Sequence, residues 1–321
     1  MGPRVSRGRG ITASSLGVDL GGTKVLAVRV DRQQKVIDRA TAKTHKSGPA
    51  EVADQISNLL SKLDPDRRVE AVGVGVPGVV VGSNVERAVN LVGWESPVDF
   101  GSLLSGVSGR RVHLANDVSM ALVAEHQLGR ARGVGNVLQL SVGTGVGGAL
   151  MLDGRLRHGP HGLAGEFGHM EVPGMPRVGP GCSCGGHGHL EAYLGRSGLE
   201  RRARAHHVDG ESTMLIDRAG DRRITTTVWI EALEAGDLLA RRLLDEATTA
   251  LSRVITAAVT TLDIELVVLS GGFASRLGAD WRATVSELHA DAMTIGAPAS
   301  VVGTAVGDDA AAIGAAISHR D

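Results

Sequence analysis

The sequence LGVDLGGTKVLAVRV (residues 16–30) places a Gly-Gly turn between two short apolar runs. This pattern predicts a β-hairpin, because apolar runs on both sides of a tight turn form paired strands. Asp19 lies at the end of the first strand, and Thr23 and Lys24 follow the turn. The hairpin tip therefore offers backbone N–H groups, a hydroxyl, a carboxylate and an ammonium, which suit phosphate and magnesium. The alternative is an ordinary tight hairpin with a solvated lysine.

A second segment of the chain repeats this pattern. NVLQLSVGTGVGGALML (residues 136–152) reads as an apolar strand, a Gly-Thr-Gly turn and another apolar strand. One glycine-rich turn alone is a weak signal, but two such hairpins in one chain are a stronger one. They predict a duplicated architecture of two α/β lobes, with phosphates held between the hairpin tips.

A long loop in the second half of the chain carries the metal-binding residue types. The segment AGEFGHMEVPGMPRVGPGCSCGGHGHLE (residues 164–191) contains both cysteines of the chain and three histidines, and its glycines and prolines exclude a regular helix or strand throughout. Ordering such a loop costs about 1–2 kcal/mol per residue in backbone entropy. We therefore expect a bound metal to stabilise the loop. His169, Cys182, Cys184 and His189 offer the nitrogen and sulfur ligands of a structural zinc site.

A carboxylate also follows a strand in the first half of the chain. Residues 111–115 form a short strand that ends at Asn116 and Asp117, where a helix begins. Active-site acids of α/β proteins often lie at such a strand end. The alternative is a plain helix cap, because Asn and Asp are both favoured at that position.

Two other strands run into glycine turns that let the backbone approach a ligand closely. One ends just before Gly78, and the other precedes Gly271 and Gly272. Near the end of the chain, the small residues of segment 308–318 predict a helix that packs closely against its neighbours.

The composition excludes several classes of protein. The 321 residues are 42% apolar and 21% charged with a formal net charge of −1, an ordinary globular balance that argues against binding to nucleic acid or a membrane surface. Aromatic residues make up only 2%, too few for stacking on single-stranded nucleic acid. Two cysteines do not form a disulfide framework and suit a metal in a reducing compartment. With no apolar run of membrane-spanning length, we expect a soluble, cytoplasmic protein.

Together these segments resemble the ROK family of sugar kinases and sugar-responsive repressors, within the actin-like ATPase superfamily. The resemblance runs in order over residues 16–318. The segments that carry it are DLGGTK (19–24), GVPG (75–78), NLVGW (90–94), AND (115–117), SVGTGVGG (141–148), AGEFGH (164–169), CSCGGHGHLE (182–191) and LSGGF (269–273). AGEFGH combined with CxCGxxGxxE is far more specific than any glycine motif alone.

The resemblance implies the fold. It is an α/β, two-lobed actin-like ATPase (ribonuclease H-like) fold with a cleft between the lobes and a zinc-clamped loop. A small lobe over residues 16–125 would hold the first phosphate hairpin and the catalytic acid. A large lobe over residues 126–321 would hold the second hairpin, the zinc loop and the nucleotide pocket. The alternative is that the final helix packs back on the small lobe. Residues 1–15 are expected to be a disordered extension.

The resemblance also implies a role for each matching residue. Asp117 is the implied general base, which takes the proton from the attacking sugar hydroxyl. The implied sugar ligands are Gly78, Asn90, Asn116, Asp117, Glu166, His169 and Glu191. The implied contacts to ATP and magnesium are Asp19, Gly21, Gly22, Thr23, Lys24, Thr144, Gly145, Gly271 and Gly272.

The chain departs from the family pattern at one zinc ligand. The pattern has a third cysteine where this chain has His189. Either His189 binds zinc and gives a Cys2His2 site, or His187 does so instead, or zinc is weak or absent. We expect the first, because imidazole suits zinc and the spacing is kept. The metal would be structural, since no ligand position is left open for water. It would also fix the position of His169.

These features favour an ATP- and magnesium-dependent hexose kinase over a sugar-sensing repressor. A repressor would need a helix-turn-helix domain, and only 15 residues precede Leu16. A sugar-binding protein without activity is a third reading. Glucose is the first choice of substrate, followed by N-acetylmannosamine and other hexoses or N-acetylhexosamines; the apolar Val79–Val81 run disfavours an acetamido group. ATP is preferred over polyphosphate as donor, and the family resemblance implies a homodimer.

Overall fold

The computed structural model describes residues 14–88, 91–176 and 178–319. The described residues divide into two compact units. The first unit comprises residues 14–88, 91–125, 160–162 and 306–319, and the second comprises residues 126–159, 163–176 and 178–305. Each unit is built around one five-stranded sheet.

The first unit begins with the predicted hairpin, which lies inside a mixed sheet. The strands are β1 (Ser14–Leu20), β2 (Lys24–Asp31), β3 (Val36–Lys43), β4 (Ala71–Val76), β5 (Val79–Val81), β6 (Asn84–Arg87) and β7 (Arg111–Asn116). The helices are α1 (Pro49–Leu63), α2 (Phe100–Ser108) and α3 (Asp117–Leu128), which begins in this unit. The sheet order is β3-β2-β1-β4-β7, while β5 and β6 pair separately.

The second unit has its own mixed sheet and most of the helices. Its strands are β8 (Val137–Val142), β9 (Val146–Leu152), β10 (Arg155–Arg157), β11 (Leu266–Ser270) and β12 (Ser300–Gly303). Its helices are α4 (Leu190–Leu194), α5 (Arg196–Val208), α6 (Met214–Ala219), α7 (Thr226–Glu234), α8 (Leu238–Leu262) and α9 (Gly272–Ala292). The sheet order is β10-β9-β8-β11-β12.

The two sheets are the same in strand order and in strand direction. In each, the hairpin strands are antiparallel and the first hairpin strand is parallel to the next central strand, β4 or β11. That strand is in turn parallel to the edge strand, β7 or β12. The duplication predicted from the two hairpins therefore extends over five strands. The carboxyl ends of β1, β4 and β7 lie at one edge of the first sheet, which groups their end residues.

The last helix, α10 (Ala310–Ile317), packs on the first unit through glycines. A Cβ on Gly17 would lie 2.0 Å from the Ala312 carbonyl oxygen, and one on Gly73 would lie 1.9 Å from that of Ala315. The small residues thus permit the close packing that was predicted. These contacts join the end of the chain to β1 and β4, and residues 306–319 belong to the first unit. The alternative in which the final helix packs on the small lobe therefore applies, and the expected large lobe extends too far at its end.

The start of the sheet also differs from the expectation. The predicted disordered extension covered residues 1–15, but Ser14 and Ser15 pair with Asp31 and Val30 in the β1–β2 ladder. The other thirteen positions lie outside the described residues. Within the described part of the chain, no helix is long and apolar enough to cross a membrane.

Candidate functional site

The first hairpin presents the predicted acid in a partly buried setting and the predicted lysine on its exposed surface. Burial raises the pKa of Asp19 to about 6; the Lys24 ammonium opposes this shift and the Asp309 carboxylate adds to it. The turn is closed by a 2.9 Å bond from the Gly21 amide to the Lys24 carbonyl. The Thr44 hydroxyl donates to the Gly21 carbonyl at 2.6 Å. The turn is therefore fixed from the adjoining chain, while Asp19 remains a carboxylate that gains from a cation.

The acid at the end of β7 begins a helix whose cap is a different residue. Asn116 Oδ1 accepts from the amides of Val118 and Ser119 at 2.9 and 3.1 Å. Its Nδ2 donates to the Gly78 carbonyl at 3.1 Å. The helix cap that was the alternative to an active-site acid is therefore Asn116, which also holds the Gly78 turn against α3. Asp117 is the first residue of α3, and its Oδ1 also accepts from the Val118 amide, at 2.9 Å.

The turn at Gly78 requires glycine for two reasons. Its φ is +93°, in the region that favours glycine, and a Cβ would lie 2.0 Å from the Arg87 carbonyl oxygen. The structure therefore places Gly78, Asn116 and Asp117 side by side. Asn90, the remaining predicted sugar ligand of the first unit, lies outside the described residues.

The second hairpin is supported by neighbouring elements. Arg196 and Ser197, the first residues of α5, donate their amides to the Gly143 and Thr144 carbonyls at 3.1 and 3.0 Å. Glu191 Oε2 accepts from the Val146 amide at 3.1 Å. These contacts fix a turn that carries no charged side chain of its own.

A cavity of about 410 Å³ lies beside this turn in the second unit. It brings together Thr144 and Gly272, two of the predicted nucleotide contacts. Its lining residues are Gly143, Thr144, Arg196, Thr226, Thr227, Gly272, Phe273 and Arg276. Gly271 precedes this lining with a φ of +91°, and a Cβ there would lie 2.4 Å from the Val142 carbonyl oxygen. The size and polar lining suit a small anionic ligand.

The metal-type residues of the long loop converge as a group. One ligand atom each from His169, Cys182, Cys184 and His189 lies within 4.8 Å of all the others. Cys182 Sγ is 3.6 Å from His169 Nδ1, and Cys184 Sγ is 3.2 Å from His189 Nδ1. Tetrahedral zinc with bonds of about 2.0–2.3 Å separates its ligand atoms by about 3.3–3.8 Å. The donor set therefore fits zinc, and the two Cys–His distances are close to the spacing that zinc requires.

The structure brings His189, rather than His187, into this group. The loop backbone turns back on itself, with the Cys182 amide bonded to the Gly186 carbonyl at 2.8 Å. Gly186 gives the imidazole room, since a Cβ there would lie 2.5 Å from His189 Cε1. Burial raises the pKa of Cys182 to about 11; the Cys184 backbone amide opposes this shift, while the Cys184 thiol and the Glu191 carboxylate add to it. A metal that binds here must therefore displace a proton from that thiol.

Three predicted sugar ligands lie together in the second unit. Burial raises the pKa of Glu166, the Glu191 carboxylate adds to this and His169 opposes it. Glu191 Oε1 accepts from the Ser183 hydroxyl and lies 3.7 Å from Cys182 Sγ. Glu191 therefore joins the metal loop to the second hairpin, and its oxygens still have acceptor capacity.

Sequence reasoning missed part of the cavity. Arg196 and Thr226 come from the first turns of α5 and α7, and neither lies in a glycine motif or at a strand end. A helix start rich in Arg or Thr carries no local sign of a ligand, because the same residues are common on solvated helix faces. Only the tertiary packing of α5 and α7 around the hairpin identifies them.

The comparisons with known proteins agree with these observations. The family model described as "ROK family" matches residues 15–321. A glucokinase of Thermotoga maritima is 29% identical over 82% of this chain and 83% of its own length. A ROK hexokinase of Thermus thermophilus has a similar structure, with a TM-score of 0.80 at 30% identity over 95% of this chain and 97% of that one. A ROK family glucokinase of Streptomyces griseus, solved with glucose and AMPPNP, has a TM-score of 0.74 at 26% identity over 94% and 98%.

The chain belongs to the ROK family, since the family model covers nearly all of it. The predicted resemblance is thereby confirmed, together with the α/β fold of this family. The prediction of an ATP-dependent sugar kinase is confirmed in the same way by the named relatives.

Proposed function

We propose that this protein transfers the γ-phosphoryl group of ATP to a hexose hydroxyl, most simply the 6-hydroxyl of glucose, with Asp117 as the general base. The observation that carries the proposal is the arrangement at the end of β7. Asn116 caps α3 and bonds the Gly78 carbonyl, so Asp117 is held at a strand end beside a tight glycine turn. A carboxylate positioned on a hydroxyl proton contributes about 10²–10⁴-fold to the rate.

Asp19 and Lys24 are proposed to serve the donor phosphates. Phosphoryl transfer needs positioning and charge neutralisation more than covalent chemistry. Magnesium, when bound, neutralises phosphate charge, and Asp19 is the carboxylate of the first hairpin that would hold it. Because burial raises the pKa of Asp19 to about 6, its carboxylate is poorly solvated, and a cation bound nearby stabilises the ionised form.

Glu166, His169 and Glu191 are proposed as sugar-hydroxyl ligands. A carboxylate accepts from two hydroxyls, so two acids and an imidazole suit a polyhydroxylated ring. A zinc ion held by His169 Nδ1, Cys182, Cys184 and His189 would fix the His169 ring, leaving Nε2 for a sugar hydroxyl. The site has no open ligand position, so its role is structural.

Glucose is proposed over an acetamido sugar. The β5 strand Val79–Val81 follows Gly78 and offers apolar side chains and no polar partner for an N-acetyl group. We also propose a homodimer, as the family resemblance implies, and a cytoplasmic location, as the composition predicts.

A coupled ATP-consumption assay with magnesium tests this proposal against a panel of hexoses and N-acetylhexosamines. We expect turnover on glucose above the other sugars. Faster turnover on N-acetylmannosamine or another N-acetylhexosamine would replace the substrate and keep the reaction. If no sugar is turned over while glucose still raises the melting temperature, the chain is a sugar sensor and the proposal is wrong.

A further inference from the structure

Arg196 lines the cavity beside the second hairpin, and no predicted role explains it. Its Nη1 donates to the Thr226 hydroxyl at 2.8 Å and its Nη2 to the Thr144 hydroxyl at 3.1 Å. The guanidinium therefore joins the hairpin turn to the start of α7. Both partners are neutral hydroxyls, whereas guanidinium groups are best suited to two-oxygen anions such as carboxylate and phosphate.

The charge on Arg196 is not balanced within its surroundings. Among the described residues, no carboxylate lies within ion-pair distance of this guanidinium. Glu200, the acid that acts on it electrostatically, is bonded to Arg204 at 3.1 Å and lies 3.7 Å from Arg223. Burial lowers the pKa of Arg196, and the Arg223 charge lowers it further. A half-buried cation beside a second cation gains free energy from an added anion.

The rest of the cavity lining also favours an anion. Arg276 is a second cation of the lining, and Thr144, Thr226 and Thr227 supply hydroxyls. No acidic residue belongs to the described lining. The first residues of α5, α7 and α9 also line it, and helix starts favour negative charge. A cavity of about 410 Å³ with this lining suits a chain of phosphates.

We propose that Arg196 binds the phosphate chain of the phosphoryl donor in this cavity, with Arg276 as a second cation. The inference rests on the proposed function and adds a donor-binding residue to it. On binding, the fork of Arg196 also keeps the Thr144 hydroxyl at the phosphates, since the two groups are already bonded. A nucleoside triphosphate and inorganic polyphosphate share this phosphate chemistry, so either source fits the cavity.

A purely structural role is the competing explanation. In that case Arg196 only ties α7 to the hairpin turn, and its loss lowers stability without a specific effect on phosphate affinity. Arg196→Gln separates the two explanations, because an amide retains hydrogen bonding to hydroxyls and loses the charge. Arg223→Gln is the matched control: it removes one charge nearby from a side chain that is 66% exposed.

The experiment measures the binding of ADP, inorganic triphosphate and adenosine to the full-length parent protein and both variants by calorimetry. Loss of one charge-assisted contact corresponds to about a 10- to 100-fold loss of affinity. We expect Arg196→Gln to lose ADP affinity by this factor, while its adenosine affinity and its melting temperature stay close to those of the parent. The ADP affinity of Arg223→Gln should be little changed. Equal weakening in both variants, or parent-like ADP affinity in Arg196→Gln, would overturn the proposal.

Inorganic triphosphate distinguishes the two donor sources. If triphosphate binds the parent, and if its affinity falls in Arg196→Gln as that of ADP does, the cavity accepts a free phosphate chain. If only ADP binds, the donor is a nucleotide. If Arg196→Gln unfolds, Arg196→Met replaces it, since methionine keeps an aliphatic stem and removes the charge; a parent-like ADP affinity in that variant combined with reduced stability would show a structural role. None of these measurements requires sugar turnover. A chain that binds ADP through Arg196 but phosphorylates no sugar would refute the proposed function alone.

Discussion

The two five-stranded sheets share strand order and direction, but their hairpins obtain charged groups differently. Hairpin β1–β2 carries its own acid and cation, Asp19 and Lys24. The turn of hairpin β8–β9 has neither, and receives them from adjacent elements: Glu191 from α4 and Arg196 from α5. The same backbone thus supports two arrangements. One hairpin is chemically complete in itself, whereas the other depends on packing.

This difference has a structural consequence. Glu191 contacts both the second hairpin and the cysteine loop, through the Val146 amide and the Ser183 hydroxyl. A change in the metal loop is therefore transmitted to the second hairpin. The first hairpin is fixed by Thr44 from the adjoining chain. Substitutions in the two units should accordingly affect different measured quantities.

The largest expected effect is on catalysis by the first unit. Asp117→Asn removes the proposed base but keeps the start of α3, because Asn116 supplies the cap. We expect turnover to fall by about 10²–10⁴-fold with glucose affinity largely retained. Steady-state rates and calorimetric glucose binding check this. Lost glucose affinity with normal turnover would refute the base assignment.

The next effect concerns the metal loop of the second unit. His189→Ala removes a proposed ligand and should weaken zinc binding by at least about 100-fold, whereas His187→Ala is the matched control and should keep the metal. Elemental analysis after dialysis against a weak chelator measures this. We expect about one zinc per chain in the parent, and a well-folded parent without zinc would remove the Cys2His2 proposal.

A smaller effect tests the dependence of the second hairpin on Glu191. In Gly145→Ala the new Cβ would lie 2.2 Å from Glu191 Oε2, while Gly143→Ala in the same turn meets nothing within 4 Å. Overpacking of this kind costs about 1–3 kcal/mol. Denaturant unfolding should therefore show a lower free energy of unfolding for Gly145→Ala and little change for Gly143→Ala. Equal losses would mean that the turn itself, rather than its contact with Glu191, is sensitive.

The smallest effect is a gain in stability in the first unit. The pKa of Asp19 in the folded protein, about 6, lies above the usual aspartate pKa of 3.8. A carboxyl group whose pKa is higher in the folded than in the unfolded protein makes the fold less stable as the pH rises between these two pKa values. Asp19→Asn should therefore raise stability at pH 7.5 by about 1 kcal/mol, or about 2–4 °C in Tm, while turnover is lost.

The pH dependence provides the control for that gain. Without magnesium or nucleotide, the advantage of Asp19→Asn should shrink as the pH falls from 7.5 toward 4, since both proteins are then neutral at this position. Asp54→Asn, an exposed change on α1, should have no such advantage. A constant difference at every pH would show that the burial of Asp19 does not cause it.

Much of the fold could be predicted because its signals are local. Both hairpins and the strand before Gly271 have glycines that mark their ends. Helix α9 is not among the predicted elements, and Gly278 interrupts it with a φ of +85°. β3 was missed because most of its side chains are exposed and polar, so no apolar pattern marks it.

The site could be predicted only as far as its motifs reach. Asp19, Asp117 and the Cys-x-Cys loop have a recognisable local setting. Arg196 has none, because its role arises when α5 packs against the second hairpin. The double contact of Glu191 was equally invisible, since it joins residues 45 positions apart. Such contacts follow from tertiary packing and leave no periodic or spacing signal.

The most direct test of the division between the two units compares Asp117→Asn with Arg196→Gln in one experiment. Turnover of glucose and affinity for ADP are measured on both variants and on the parent. We predict a crossed result: Asp117→Asn loses turnover and keeps ADP affinity, while Arg196→Gln loses ADP affinity and retains most of its turnover at saturating ATP. If both variants lose the same quantity to the same extent, the two units do not divide the work in this way.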